Sequence, residues 1–413
     1  MDCSVITMEK VLLYEVLRQT VKNMKGHLSQ QIILGTLCKL LLNIGRRFVY
    51  PFAPALSRGL DVPLTAITSI IATTQITSLV GLFSGPLADR TGYRFMMQAG
   101  LAALAMGMLL CGLAPVYWVV FLGLVLASFG KILFDPALQA FIGKNVPYSK
   151  RARAIGTIEI SWAGSTLMGI PLLGLVIEYA GLGSSFYIIA LLGFVGWVAI
   201  GKVFPADKPE KVSRRGAKQL FHSLIQLFKI RPAAGMLAFG FWISLANDNL
   251  FVVYGAWFEH DFNISLVSLG FSTIAIGVAE LLGEFSTAAF SDRLGLKRSI
   301  IIGLVLAIIA YLLLPIIGTS LPLAMVAMFF VFFSFEYTMV TSFSLSTEVL
   351  PEARATMMAG FYAAAGLGRM VGVLIGGVLW RTGGIEGVVW VSAALTVMGL
   401  VSLLWGLKGW KPA

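Results

Sequence analysis

Charged residues are scarce in this chain of 413 residues, and their scarcity excludes most classes of soluble protein. Asp, Glu, Lys and Arg make up 12% of the sequence, whereas a soluble domain carries about 25%. Apolar residues make up 58%, and the mean hydropathy is +0.87. A chain of this composition cannot cover its own surface with polar groups, so lipid must be its solvent.

Cysteine and histidine are also rare, with three residues of each type. They are Cys3, Cys38 and Cys111, and His27, His222 and His260. The cysteines show no pairing pattern and no metal-ligand spacing, so we interpret them as small buried apolar residues. The sequence has no phosphate-binding loop, metal-ligand motif or nucleophile elbow. We therefore expect no enzymatic activity, no metal and no cofactor.

Long apolar runs dominate the sequence, and about 20 apolar residues are enough for a helix to cross a bilayer. We predict twelve spans. They lie at about 31–56, 65–88, 95–115, 117–141, 155–180, 185–204, 233–258, 265–290, 299–317, 322–346, 356–380 and 386–407. The net charge of +11 comes from basic residues in short gaps after the even-numbered spans and at both termini. This pattern predicts that both termini are cytoplasmic, and it argues against nucleic acid binding.

The longest polar stretch lies near the midpoint and divides the chain into two halves. The predicted regions are an N-terminal cytoplasmic or interfacial segment (1–30), a six-helix bundle (31–204), a cytoplasmic linker with an amphipathic helix (205–231), a second six-helix bundle (232–407) and a cytoplasmic tail (408–413). Glu15 and Arg18 interrupt the first apolar run, which argues against a signal peptide. Either this segment forms a short amphipathic helix on the membrane, or the protein begins at Met24.

An Asp-Arg-x-Gly-x-basic turn occurs twice, with the copies 203 positions apart. The copies contain Gly85, Asp89, Arg90, Gly92 and Arg94 in the first half, and Asp292, Arg293 and Gly295 in the second. Each turn follows one long apolar run and precedes another. A membrane unit that is used twice is typical of a two-fold transporter.

With these turns, the sequence resembles the major facilitator superfamily over nearly its whole length, and in particular bacterial drug and sugar efflux permeases. The resemblance implies an all-α membrane protein with twelve transmembrane helices in two pseudo-symmetric six-helix bundles. It also implies that the repeated turns form a gating latch, to which we add Asp135 and Glu284. The run from Gly164 to Gly174 is similar to an exporter motif, although Ile170 is inserted before the proline. Leu126 stands where proton-coupled members often carry arginine.

Many charged residues lie inside the predicted spans, at a cost of at least ~2.5–3.5 kcal/mol each at mid-bilayer. In the family, spans one, four, seven and ten line the central cavity. The predicted substrate cavity contains Lys39, Asn43, Arg46, Arg47, Tyr50, Lys131, Asn247, Asp248, Asn249, Glu336 and Arg369. A competing interpretation is that individual charges pair to hold helices together. The pairs considered are Lys131 with Asp135, Asp135 with Arg94, and Arg369 with Glu336 or Glu280.

These features predict secondary active transport by alternating access, with proton-coupled efflux of a small amphipathic drug, sugar or metabolite. A carboxylate whose cationic partner changes with the orientation of the cavity can bind and release a proton. The candidates are Asp248, Glu336 and Glu280. The alternatives are an organic-anion exchanger or importer with an Arg46, Arg47 and Lys131 clamp, a lipid flippase, or a solute receptor without transport. We expect a monomer in the bacterial inner membrane, with a small molecule, a proton and the lipid bilayer as partners.

Overall fold

The computed structural model describes residues 26–146, 148–206, 226–350 and 354–410. Within these ranges the chain is helical and contains no β-strand. The interfacial helix expected in 1–30 and the amphipathic helix expected in 205–231 fall largely on residues 1–25 and 207–225, outside the described ranges.

The helices form two successive groups. The first group contains α1 (Gly26–Arg47), α2 (Ala53–Gly59), α3 (Leu64–Thr91), α4 (Tyr93–Leu113), α5 (Tyr117–Asn145), α6 (Tyr148–Gly164), a π-helical turn (Ser165–Gly169) and α7 (Ile170–Val203). The second contains α8 (Arg231–Phe251), α9 (Tyr254–Phe262), α10 (Leu266–Leu294), α11 (Leu296–Ile317), α12 (Leu321–Val349) and α13 (Arg354–Gly406). We call them the N-terminal half and the C-terminal half.

In the described residues, nine helices are long and apolar enough to cross a membrane. Two of them, Thr157–Val203 and Thr356–Gly406, contain 47 and 51 residues. At ~1.5 Å per residue, each is about twice the ~30 Å thickness of the hydrocarbon core. Each breaks at a glycine with non-helical angles, Gly181 (φ 80°, ψ 163°) and Gly384 (φ 58°, ψ −156°). When each is counted as two spans and α3 (28 residues) is added, the helices reach the expected twelve.

The first span of each half is shorter than predicted. The spans expected at 31–56 and 233–258 end at Arg47 and Phe251, and the short helices α2 and α9 follow. Pro51 and Pro54 explain the first break, since proline donates no backbone hydrogen bond and disfavours a helical conformation in the residue before it. The second break has no proline, but it lies at the equivalent place in the repeat.

The backbone repeats itself between the halves at three unusual positions. Positive φ angles occur in the pairs Gly92 (95°) and Gly295 (85°), Gly181 (80°) and Gly384 (58°), and Asp61 (51°) and Asn263 (48°). The first two pairs are 203 positions apart and the third is 202 apart. Residues with a side chain rarely adopt such angles, so these coincidences indicate that one chain path is used twice. The repeated turn predicted this duplication.

The outer surface of the bundle is rich in large apolar side chains. Trp118 and Ile316 are each 70% exposed, and Tyr179 is 83% exposed. The main buried apolar cluster draws on both halves, with Phe52 and Phe251 among its members. A core inside and an apolar surface outside are what a bundle solvated by lipid requires.

The two halves are in close contact near α2 and α9, at the end of the bundle predicted to lie outside the cell. A Cβ atom added to Gly174 of α7 would lie 3.3 Å from the Cα of Gly270 in α10. A Cβ atom added to Gly255 would overlap the carbonyl oxygen of Pro51. Because glycine has no side chain, these backbones can touch. The halves are therefore in close contact at this end.

Candidate functional site

A buried ion pair joins the two halves at the centre of the bundle. Arg47, at the end of α1, contacts Glu280 of α10 through two hydrogen bonds: Nη2 to Oε1 at 2.5 Å and Nη1 to Oε2 at 3.2 Å. Each side chain is 4% exposed. The guanidinium carbon also lies 4.2 Å from the centre of the Trp162 ring. This bidentate geometry is typical of strong arginine–carboxylate recognition.

The π-helical turn in the N-terminal half presents Thr166 to the same carboxylate. Thr166 Oγ1 donates a hydrogen bond to Glu280 Oε2 at 3.1 Å, and its carbonyl accepts one from Thr273 Oγ1 of α10 at 2.9 Å. Pro171 follows the turn and has no N–H to offer the carbonyl of Leu167, four residues earlier. Such turns are rare and are frequent at functional sites. The sequence indicated a bend here but did not identify Thr166.

A second set of contacts between the halves passes through Tyr50 and Asp248. Arg46 Nη2 donates to Gln75 Oε1 at 2.5 Å, and Gln75 Nε2 donates to the Tyr50 hydroxyl at 2.6 Å. The Tyr50 hydroxyl donates to Asp248 Oδ1 at 3.1 Å. Arg369 Nε lies 3.9 Å from Asp248 Oδ2. Four predicted cavity residues are thus connected, together with Gln75, which was not predicted from the sequence.

Both lysines of the predicted cavity have carboxylate partners within the N-terminal half. Lys131 Nζ lies 2.6 Å from Asp135 Oδ2 and 2.6 Å from Asn43 Oδ1. Lys39 Nζ lies 2.6 Å from Glu159 Oε1. The predicted pairing of Lys131 with Asp135 is confirmed, and for these residues the helix-pairing interpretation is supported.

Glu284 and Glu336 lie beside the central ion pair. Glu284 follows Glu280 by one helical turn on α10. Glu336 of α12 packs against the neighbouring Gly283, since a Cβ atom added to Gly283 would lie 2.9 Å from the Cβ atom of Glu336. Both interact electrostatically with Glu280 and Arg47. Within the described residues neither forms an ion pair of its own. The centre of the C-terminal half therefore carries an excess of carboxylates.

The contacts of Asn249 and Arg369 differ from those expected from the sequence. Asn249 Nδ2 donates to the carbonyl of Val388 at 3.0 Å and to Ser392 Oγ at 2.9 Å, so it binds α13 rather than the crevice shared with the N-terminal half. Because neighbouring residues of a helix point about 100° apart, it does not share the face of Asp248. Arg369 contacts Asp248, where Glu336 or Glu280 was expected, although it also interacts electrostatically with Glu336.

Asn247 lies next to the Tyr50–Asp248 contact. Its Nδ2 is 3.5 Å from Asp248 Oδ2, and its own Oδ1 is buried without a hydrogen-bond partner. The residue is 5% exposed. Asn247 is therefore buried beside Asp248, and its place in a substrate cavity stays a prediction.

The proposed latch is only partly covered by the structure. Gly85, Asp89, Arg90 and Asp292 lie outside the residues whose side chains are described. Gly92 and Gly295 adopt positive φ angles immediately before α4 and α11, as tight turns require. Arg94 follows the first turn half-buried, and Arg293 precedes the second one exposed. A gating role for these residues stays a prediction.

A duplicated helical bundle of membrane-spanning length, with ionised groups buried between its halves, defines a membrane transporter as the class. The family model of the Major Facilitator Superfamily matches residues 35–279 and 236–412, and this chain belongs to that family.

Curated relatives agree with this assignment. The "Multi-drug resistance efflux pump PmrA homolog" of Lactococcus lactis is 26% identical over 342 residues, which cover 79% of this chain and 82% of the relative. The "Uncharacterized MFS-type transporter YceJ" of Bacillus subtilis is 23% identical over 305 residues, covering 74% and 77%. The "Multidrug resistance protein MdtG" of Salmonella arizonae is 25% identical and covers 65% and 64%.

Solved structures show the same fold. A bacterial homologue of the human lysosomal transporter Spinster superposes with a TM-score of 0.75 and 15% identity, covering 95% of this chain and all of the other. A mutant of the peptide transporter POT gives a TM-score of 0.74 and 12% identity, covering 90% and 93%. The all-α fold predicted from the sequence is therefore confirmed.

Proposed function

We propose that this protein is a proton-coupled exporter of small amphipathic compounds that works by alternating access. The observation that carries the proposal is the position of the Arg47–Glu280 and Tyr50–Asp248 contacts, which are buried and join the two halves. Any solute or proton that changes these contacts also changes how the halves hold together. The efflux proteins among the relatives support export as the direction.

Exposure of the polar side chains supports a crevice that opens toward the predicted cytoplasmic end. The Glu159 and Asp135 side chains are 41% and 21% exposed, and both face charged partners between helices rather than lipid. The Asp248 side chain, close to the contact of Pro51 with Gly255, is 4% exposed. In this state a solute would enter from the cytoplasm.

Proton coupling is assigned to Asp248, Glu336 and Glu280. Asp248 and Glu280 each contact a residue of the other half, so outward opening would remove the Tyr50 hydroxyl from one and Arg47 from the other. A carboxylate that loses such a partner binds a proton more readily. Glu336 has no ion-pair partner in the described residues, so either a proton or a bound cationic group can neutralise it.

The setting of this activity is proposed from the sequence pattern. The basic gaps after the even-numbered spans support cytoplasmic termini and a bacterial inner membrane. We propose that one chain is the working unit, because the crevice lies between the halves of a single chain.

Flux of an amphipathic dye such as ethidium into proteoliposomes, with and without a pH gradient, tests the proposal. The Asp248→Asn, Glu336→Gln double variant should lose the stimulation of flux by the gradient, measured as the ratio of flux with a gradient to flux without one, by about tenfold or more. Glu178→Gln removes an exposed carboxylate of α7 and should behave as the unmodified protein. Gradient-driven flux that is unchanged in the double variant would falsify the assignment of these carboxylates.

A further inference from the structure

The charges in the crevice divide into neutral pairs and two unbalanced groups. Lys39, Arg47 and Lys131 each contact a carboxylate at 2.5 to 2.6 Å. Two further cations of the crevice, Arg46 and Arg369, flank a single carboxylate, Asp248, and interact with it electrostatically. The clamp of Arg46, Arg47 and Lys131 considered from the sequence is thus replaced by Arg46 with Arg369. This group has one positive charge in excess.

The positive group also contains a hydrogen-bond donor without an acceptor. Arg369 Nε is buried and makes no hydrogen bond, since Asp248 Oδ2 is 3.9 Å away. A buried donor in this condition favours an additional acceptor. An anionic group bound between Arg46 and Arg369 would supply the acceptor and would balance the excess charge.

The second unbalanced group is negative. Glu284 and Glu336 are half-buried, share the neighbourhood of Arg47, and have no cation of their own in the described residues. A cationic group bound at these carboxylates would balance them. Arg369 interacts electrostatically with both Asp248 and Glu336, so the two groups lie within reach of one small molecule.

Aromatic rings lie beside the neutral ion pairs and near Arg369 of the positive group. Trp162 packs under Arg47 and lies 5.7 Å from the Lys131 ammonium, and Tyr362 is 53% exposed and interacts electrostatically with Arg369. Such rings can pack against the ring system of an amphipathic solute.

We propose that the substrate is a zwitterion with an aromatic or apolar body, whose anionic group binds Arg46 and Arg369 and whose cationic group binds Glu284 and Glu336. This inference rests on the proposed function, since it names the substrate class of the same crevice. The positive group lies near the ends of α1 and α8, at the closed end of the bundle, so the anionic group enters first.

Three dyes with one ring system test this assignment. A rhodamine free acid is a zwitterion, its methyl ester is a cation, and fluorescein is an anion with the same xanthene frame. Fluorescence anisotropy with the purified full chain should show that the free acid binds about tenfold more tightly than either other dye, the effect of one ~1.4 kcal/mol interaction. Flux in proteoliposomes should follow the same order.

Charge-removing variants should change selectivity rather than lower all affinities equally. Arg369→Gln should weaken the binding of the free acid and of fluorescein and should leave the binding of the methyl ester unchanged. The Glu284→Gln, Glu336→Gln double variant should weaken the binding of the free acid and of the methyl ester and should leave the binding of fluorescein unchanged. Arg381→Gln and Glu178→Gln, both at exposed positions, are the matched controls.

The outcomes separate the substrate class from the transport function. If the methyl ester or fluorescein is transported and binds at least as tightly as the free acid, the zwitterion assignment is wrong, but the proposed transport function is still supported. An equal loss of affinity for all three dyes in both variants also contradicts the zwitterion assignment. If neither these dyes nor ethidium cross in any direction, the proposed function fails as well.

Discussion

At the residue scale, the sequence identified the interior charges better than their partners. A charge in an apolar run is conspicuous, so Arg46, Lys131 and Asp248 could be placed in the interior of the bundle. Lys131 could also be paired with Asp135, because its partner lies one turn away on the same helix. The partner of Arg47 lies 233 positions away, and only the packing of the halves brings the two together. Gln75 was missed because an uncharged amide is not conspicuous in a segment rich in Ser and Thr.

The Arg47–Glu280 pair should respond strongly to removal of one partner. Arg47→Gln or Glu280→Gln leaves an uncompensated buried charge and should lower the free energy of unfolding by about 3–5 kcal/mol. The double variant should recover most of this loss, because two neutral amides of similar size remain. Unfolding in detergent, followed for the four proteins of a double-mutant cycle, measures this coupling.

The exposed ion pair between the halves provides the control. Arg58 Nη2 lies 2.7 Å from Glu259 Oε1, with side chains 58% and 26% exposed. Arg58→Gln and Glu259→Gln should each cost less than ~1 kcal/mol, since water screens this pair. Equal costs for the two pairs would contradict the account of the buried one.

At the element scale, the all-helical fold and the approximate positions of the spans could be predicted, but the early end of the first span in each half and the π-helical turn could not. Hydropathy located the twelve runs because membrane crossing imposes a minimum length. The end of α1 at Arg47 and the π-helical turn at Ser165–Gly169 depend on local backbone geometry, which hydropathy does not report. The gaps predicted between spans at 181–184 and 381–385 contain Gly181 and Gly384, and the φ angles of these glycines identify the points where the long helices turn.

Alanine substitution at these two glycines should destabilise the protein through the backbone alone. A Cβ atom at Gly181 or Gly384 would meet nothing within 4 Å, yet both residues have positive φ angles that favour glycine. Gly181→Ala and Gly384→Ala should therefore each cost about 1–3 kcal/mol of folding free energy. Melting temperatures in detergent are a sufficient measure.

Neighbouring glycines serve as matched controls for this prediction. Gly183 and Gly383 also have open space around them, but neither has a positive φ angle. Gly183→Ala and Gly383→Ala should be neutral or slightly stabilising, since alanine favours a helix by up to ~1 kcal/mol over glycine. A melting temperature for the Gly181 and Gly384 variants as high as that of their controls would show that the breaks carry no strain.

At the scale of the whole molecule, the duplication of the two halves could be predicted from the sequence. Which end of the interface between the halves is closed could not. The repeated Asp-Arg-x-Gly turn predicted two equivalent halves, and the paired φ angles agree with it. Which end of the bundle is closed depends on contacts such as Pro51 with Gly255. These contacts join residues that lie far apart in the sequence, so no local sequence pattern predicts them.

Alternating access requires the halves to separate where α7 crosses α10, and a disulfide placed there can prevent this. A Cβ atom at Gly174 would lie 3.3 Å from the Cα of Gly270, and the reverse distance is also 3.3 Å. This spacing suits a disulfide, which joins Cα atoms about 4.4–6.8 Å apart. The control pair is Ala105 and Gly193, whose Cβ atoms would be 3.2 Å apart within the N-terminal half.

Dye flux in proteoliposomes before and after oxidation is the most direct test of the account. The Gly174→Cys, Gly270→Cys variant, in a background without Cys3, Cys38 and Cys111, should lose flux on oxidation and regain it on reduction. The Ala105→Cys, Gly193→Cys variant should transport equally well in both states. If the first variant is fully cross-linked and still transports at its reduced rate, the halves do not move apart at this crossing and the proposed mechanism is wrong.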